Sequence, residues 1–159
     1  MTPRAAASGG GRPATAPRGC TSLKLRQLSR RVSRHYESHL SEAGLRTTQF
    51  SLLSHIVKLG PLRLGALAET LGLQASTLTR NLQPLLDQGW VQVQVGDDAR
   101  SREVVATAAG VALREQAQHA WRRAQGALNE RLGVQRVAAL HELLDECMGL
   151  LAEGEPGDD

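Results

Sequence analysis

Apolar residues recur along this chain with two periods, and the change from one to the other marks out its elements. Between Thr21 and Leu40, residues Leu25, Leu28, Val32, Tyr36 and Leu40 fall three or four apart, on one helical stripe, with Arg and Lys on the other faces. A second helix is expected from an N-cap at Thr47 through Phe50, Leu53, Ile56 and Val57, stopped by Gly60-Pro61. A short third helix, Leu64 to Leu71, ends at Gly72. A fourth, Ser76 to Asp87, turns Leu78, Leu82, Leu85 and Leu86 inward before Gly89 ends it. The period then falls to two in Trp90-Val91-Gln92-Val93-Gln94-Val95, the pattern of a half-buried strand. Turn-forming residues fill 96–101, and Arg102 to Thr107 returns as the second strand of a hairpin. Thr107 is suited to cap a long helix striped by Leu113, Ala117, Ala120, Trp121, Ala124, Leu128 and Leu132. Beyond Gly133, Val137, Leu140, Leu144, Cys147, Met148 and Leu151 stripe a last helix. The expected fold is mainly α with a small β-hairpin.

Composition sharpens this picture. A chain of 159 residues, 41% hydrophobic, suffices for one globular domain, expected over 20–152. The Gly-, Ala-, Pro- and Arg-rich stretch 1–19 and the acidic stretch 153–159 are expected to be disordered tails. No apolar run approaches the ~20 residues that span a bilayer, and no secretory signal opens the chain, so the expected location is the cytoplasm, with no membrane partner. Two cysteines, Cys20 and Cys147, are too few for a disulfide framework or a four-ligand zinc site. At 3% aromatic, the chain lacks the stacking platforms used on single-stranded nucleic acid. Charge is uneven: residues 20–102 hold 11 Lys or Arg against 6 Asp or Glu, whereas 103–152 hold 5 against 6. Cation excess in one half of the body is compatible with a nucleic-acid face.

The segment LGALAETLGLQASTLTRNLQPLL has the pattern of a helix-turn-helix. Ala68 is small enough for close helix packing, and Gly72 tolerates the backbone angles of a tight turn. Gln74, Ser76, Thr77, Thr79, Arg80 and Gln83 are left on the outer face, with donors suited to phosphates and base edges. Arg80 is the candidate for bidentate contact with guanine. The hairpin that follows at once carries Arg100 and Arg102, completing a winged helix whose cations would gain from phosphate attraction. Pro84 predicts a kink or an early end to the second helix of the motif, and Gln74 is a weak cap for its start.

The stretch from Leu64 to Gly110 resembles the MarR family of bacterial winged-helix transcriptional regulators. The likeness rests on STLTR at Ser76 to Arg80, LLDQGWV at Leu85 to Val91, D-x-R-x-R at Asp98 to Arg102 and TAAG at Thr107 to Gly110. Together with the helix order, it covers Thr21 to Leu151. The resemblance implies a homodimer that reads a palindromic operator in double-stranded DNA, with repression as the expected mode. Its winged-helix lobe would span 46–106, and its dimerisation helices 20–45 and 107–152. It further implies that Arg100 reaches the minor groove from the wing tip and that Asp98 pairs with Arg102. A small aromatic or phenolic effector would enter the crevice between the two lobes, with Arg34, His35, Tyr36, Arg46, His55 and Trp121 as candidate lining.

Other chemistry has weaker support. His35 and His39 are four residues apart with Glu42 nearby, but no complete ligand set is contiguous, so no metal and no cofactor is expected. Cys20 opens the first helix near Arg18 and Lys24, a cationic setting that favours a reactive thiol, so redox sensing through Cys20 is one alternative. A helical protein-interaction module without DNA binding is another. An enzyme is not expected: the chain has no G-x-S-x-G, no P-loop and no dinucleotide fingerprint.

Overall fold

The computed structural model describes residues 17–96 and 101–152. Its order is α1 (Thr21–Leu40), one 3₁₀ turn (Ser41–Ala43), α2 (Thr47–Leu59), β1 (Leu62–Arg63), α3 (Leu64–Leu71), α4 (Ala75–Asp87), β2 (Val91–Val95), β3 (Arg102–Ala106), α5 (Ala108–Leu132) and α6 (Val134–Ala152). Of the expected tails, residues 1–16 and 153–159 lie outside the described residues, as do Asp98 and Arg100, while 17–19 are described and carry no helix or strand. No helix among the described residues is long and apolar enough to cross a membrane.

A core built from α1, α2, α3, α4, the sheet and α5 holds Leu40, Phe50, Leu53, Ile56, Leu67, Leu78, Leu82, Leu85, Val91, Val104, Ala117 and Ala120, all buried. These are the apolar stripe positions of each element, and their burial out of water is the main term favouring the fold. Gly72 sits between α3 and α4 with φ 59° and ψ 37°, left-handed angles open to glycine at no steric cost, so the two helices turn within a few residues. Gly89, at φ 68°, ends α4 in the same way, and the Trp90 N–H closes that turn on the Leu85 carbonyl at 2.9 Å.

Several local expectations are corrected. Arg46, not Thr47, is the N-cap of α2: the Gln49 side chain accepts the Arg46 N–H at 2.9 Å, and Thr47 is already helical. The helix expected from Ser76 begins at Ala75. Pro84 neither ends nor shortens α4, which runs on to Asp87 with the Gln88 N–H bonded to the Pro84 carbonyl at 3.2 Å. Pro84 is exposed, so its ring stands in solvent and water can satisfy the Arg80 carbonyl that lacks its helical donor. Trp90 belongs to the turn rather than to β2, and the return strand stops at Ala106 because Thr107 caps α5, its hydroxyl accepting the Gly110 N–H at 3.1 Å.

The sheet has the order β1-β3-β2 and is antiparallel throughout. β2 and β3 pair from Val91↔Ala106 to Val95↔Arg102, as the hairpin pattern predicts. β1 adds Leu62↔Val104 and Arg63↔Glu103, a two-residue strand too short to produce a period in the sequence. The alternation in β2 does not produce an evenly half-buried strand: Val91 is 2% exposed but Val95 is 59% exposed. The core takes in Val91 and, from the middle of β3, Val104, while Val95 and Arg102 at the far end of the described ladder are exposed.

Candidate nucleic-acid interface and small-molecule cavity

α4 turns Leu78, Leu82 and Leu85 into the core and leaves Gln74, Ser76, Thr79, Arg80 and Gln83 exposed, with Thr77 half-buried. The 3.6-residue period fixes this division, since each leucine faces inward and the residues between them cannot. The outer face is not uniformly free. The Thr79 hydroxyl donates to the Ala75 carbonyl at 2.9 Å, and the Gln83 amide donates to the Asp87 carboxylate at 2.7 Å. Arg80 has no partner among the described residues, so its five donors face water. Gln74 occupies the N-cap without a side-chain cap bond, which leaves the first N–H groups of α4 to solvent. Arg102 is exposed on the hairpin opposite Val95, on the projecting part of the sheet.

A cavity of about 460 Å³ opens between α1, α2 and α5. Val32, Ser33 and Tyr36 line it from α1, Thr47, Phe50, Ser51, Ser54 and His55 from α2, and Arg114, Gln118 and Trp121 from α5. Trp121 stacks on Phe50 with centroids 6.3 Å apart and lies 6.4 Å from Tyr36, which gives the cavity an aromatic wall. Burial pushes the Tyr36 phenol above its usual pKa, and its hydroxyl donates to the Gln125 side chain, so it is a neutral wall residue. His55 bonds the Ser51 carbonyl through Nδ1 at 2.8 Å. Two buried atoms of the lining, Ser54 Oγ and Arg114 Nε, have no hydrogen-bond partner among the described residues.

Of the six residues expected around an effector, Tyr36, His55 and Trp121 line this cavity. Arg34 and His35 line a different one, between α1 and the end of α5, and Arg46 is exposed at the start of α2. The sequence reading missed Arg114 and Ser54, although a signal for each was present. Arg114 lies on the same helical face as Gln118 and Trp121, and Ser54 on that of Phe50 and Val57, so each is a polar residue set into an apolar stripe.

His35 bonds the Ala124 carbonyl through Nε2 at 2.8 Å, and Glu42 pairs with Arg123 at 2.6 Å. Among the described residues no group of three His, Cys, Asp or Glu is placed to hold a metal ion. Cys20 and Cys147 are exposed free thiols, Cys20 at the N-cap of α1.

The MarR family model matches residues 43–101. A curated relative, the uncharacterized HTH-type transcriptional regulator YwoH of Bacillus subtilis, is 31% identical over 84 residues; the match spans 53% of this chain and 61% of the relative's length. Among solved structures, the M. tuberculosis transcriptional regulator MosR in complex with DNA is 32% identical with a TM-score of 0.67, over 81% of this chain and 98% of that one. A mutant of E. coli MarR complexed with operator DNA is 25% identical with a TM-score of 0.72, over 79% of this chain and 91% of that one. The structural likeness thus extends over about four-fifths of the chain, and the chain belongs to the MarR family of winged-helix transcriptional regulators.

Proposed function

We propose that this chain is a homodimeric, sequence-specific DNA-binding repressor whose hold on a palindromic operator is modulated by a small aromatic or phenolic acid. The observation that carries the reading is the outer face of α4, where Arg80 stands unpartnered among short polar side chains beside a projecting hairpin. A helix of that shape fits the major groove, and the hairpin would follow the backbone or minor groove on its flank. The relatives support this, since MosR is described in complex with DNA and E. coli MarR with operator DNA. In this reading 46–106 is the DNA lobe, 20–45 and 107–152 are the dimerisation helices, Arg100 and Arg102 form the wing contacts, and Asp98 pairs with Arg102.

Dimerisation is supported by apolar surface left open on the terminal helices. Leu25 of α1 is 47% exposed, and Met148 and Leu151 of α6 are 60% and 73% exposed. Of the α6 stripe only Val137 is buried, so a second copy is the simplest cover for the rest.

Selection from a randomised duplex pool tests the DNA reading. A two-fold symmetric site is expected, bound by a particle of twice the chain mass. Its affinity should fall about 10³-fold or more between ~50 and ~200 mM salt if six or more phosphates are contacted. Failure to select any sequence at low salt, with the dimer intact, would give the motif to a protein partner instead.

The effector reading rests on Ser54 Oγ and Arg114 Nε, whose burial without partners costs about 1–3 kcal/mol each unless a ligand satisfies them. A carboxylate between them would tie α2 to α5, and an aromatic ring would lie against Trp121. Occupancy would then shift the population of dimers with the right spacing of recognition helices, about 34–36 Å for adjacent half-sites. Arg114→Met is expected to leave the free protein at least as stable as wild type and to abolish the rise in melting temperature produced by benzoate. A benzoate effect that persists in Arg114→Met would remove this residue from the site.

A further inference from the structure

The outer face of α4 carries an acid that attraction to DNA does not explain. Ser76, Arg80, Gln83 and Asp87 follow one another at steps of four, three and four. At about 100° per residue they share one stripe, opposite the buried Leu78, Leu82 and Leu85. All four are exposed, and Asp87 is the single acid of the helix. A carboxylate there is unfavourable on two counts. It sits in the last turn, where the helix dipole favours a cation, and it repels phosphates on the face that would approach them. No Lys, Arg or His pairs with it among the described residues. What Asp87 does hold is the Gln83 side-chain amide, whose nitrogen donates to the carboxylate at 2.7 Å.

That bond settles which way round the Gln83 amide stands. Turned over, it would set its own carbonyl oxygen against the carboxylate, two acceptors with no proton between them. Held as it is, Gln83 keeps its carbonyl oxygen and its second N–H for another partner. Adenine is the base whose major-groove edge pairs with both, offering the N6 donor beside the N7 acceptor. Guanine and thymine set an acceptor against the carbonyl, and cytosine offers only a donor. We infer that Gln83 reads an adenine in the major groove and that Asp87 is the residue that positions it. The inference rests on the DNA reading proposed above and adds a base identity to it. Three residues separate Gln83 from Arg80, about 4.5 Å along the helix axis, against ~3.4 Å between stacked bases, so the adenine lies beside the base pair that Arg80 contacts. Asp87 thus lowers affinity for DNA in general and raises discrimination at one position.

Selection from a randomised duplex pool with the full chain compares wild type, Gln83→Ala, Asp87→Ala and Asp87→Asn. Each protein is then titrated with the wild-type site, with that site carrying G·C in place of the A·T pair, and with random-sequence DNA. Wild type is expected to select A·T at one position of each half-site and to bind the G·C site about five-fold or more weakly. Gln83→Ala and Asp87→Ala should lose the preference at that position alone. Asp87→Ala should also bind random-sequence DNA more tightly than wild type, because a negative charge has left the phosphate-facing side. Asp87→Asn keeps an acceptor oxygen for the Gln83 amide and should keep the preference. A merely structural Asp87 would behave otherwise, its loss weakening every position together. The inference is overturned if Asp87→Ala retains the A·T preference or loses preference at all positions, if Asp87→Asn loses it too, or if the wild-type site has no adenine there. Wild type that selects no sequence at low salt overturns the DNA reading as well, so the two failures are told apart.

Discussion

Arg80→Ala is expected to weaken binding to a selected operator by about 5- to 150-fold per half-site, the equivalent of the ~1–3 kcal/mol carried by a bidentate arginine–guanine pair. A symmetric dimer would suffer the loss at both half-sites. Arg80 is singled out over its neighbours by what their side chains already do. Thr79 and Gln83 are engaged within α4, whereas Arg80 gives up only water. Stability should barely move, because an exposed side chain with no partner contributes within about ±0.5 kcal/mol. Electrophoretic or anisotropy titration across two salt concentrations, beside a melting curve, separates the two quantities. Arg80→Lys sharpens the test: it keeps the charge, and so the salt slope, but loses the planar fork and with it discrimination at the contacted base. If Arg80→Ala binds the operator like wild type, α4 is not the helix that reads it.

How far the sequence could be read follows from the range of each signal. Stripes spaced three or four apart identified every long helix because burial acts on a whole face, and one misplaced polar residue does not erase that pattern. Gly72 and Gly89 were legible because left-handed backbone angles narrow the choice of residue, and Thr107 because a cap has a fixed offset from the amide it accepts. β1 had no such support, since two residues paired to β3 make no period. Pro84 misled because its effect depends on which way the freed carbonyl faces, a matter of tertiary burial. The division of the expected effector residues between two cavities has the same origin. Successive residues on α1 point about 100° apart, so Tyr36 faces the cavity against α2 while Arg34 and His35 face the one at the end of α5. A stripe shows which side is buried, but not which neighbouring helix flanks it on either edge.

Gly110→Ala and Gly126→Ala, two identical substitutions in α5, should change stability in opposite directions. Glycine inside a helix is about 0.5–1 kcal/mol worse than alanine, so propensity alone predicts a gain at both positions. At Gly126 a Cβ would meet nothing within 4 Å, and the gain should be realised. At Gly110, which is buried, a Cβ would overlap the carbonyl oxygen of Trp90 and come within 2.9 Å of its carbon. That carbonyl is backbone and cannot swing aside cheaply, because it accepts the Thr107 N–H at 3.0 Å and the Thr107 hydroxyl at 3.2 Å. The Trp90 N–H is in turn bound to Leu85 at the end of α4. Overpacking of this kind costs about 1–3 kcal/mol, and the disturbed cap of α5 adds up to another ~1 kcal/mol, so the clash outweighs propensity. A net loss of about 2 kcal/mol corresponds to a melting temperature lowered by roughly 4–8 °C in a chain of this size. Circular dichroism melts of the two variants decide it, and a shift of the same sign in both would show that the Trp90 junction yields. The junction also matters for function: Trp90 joins the end of α4 to the root of the hairpin, and Gly110 sets how closely α5 approaches both. Gly110→Ala protein still folded at low temperature should therefore bind the operator more weakly than wild type, with Arg80 and the wing cations all present but carried at the wrong mutual spacing.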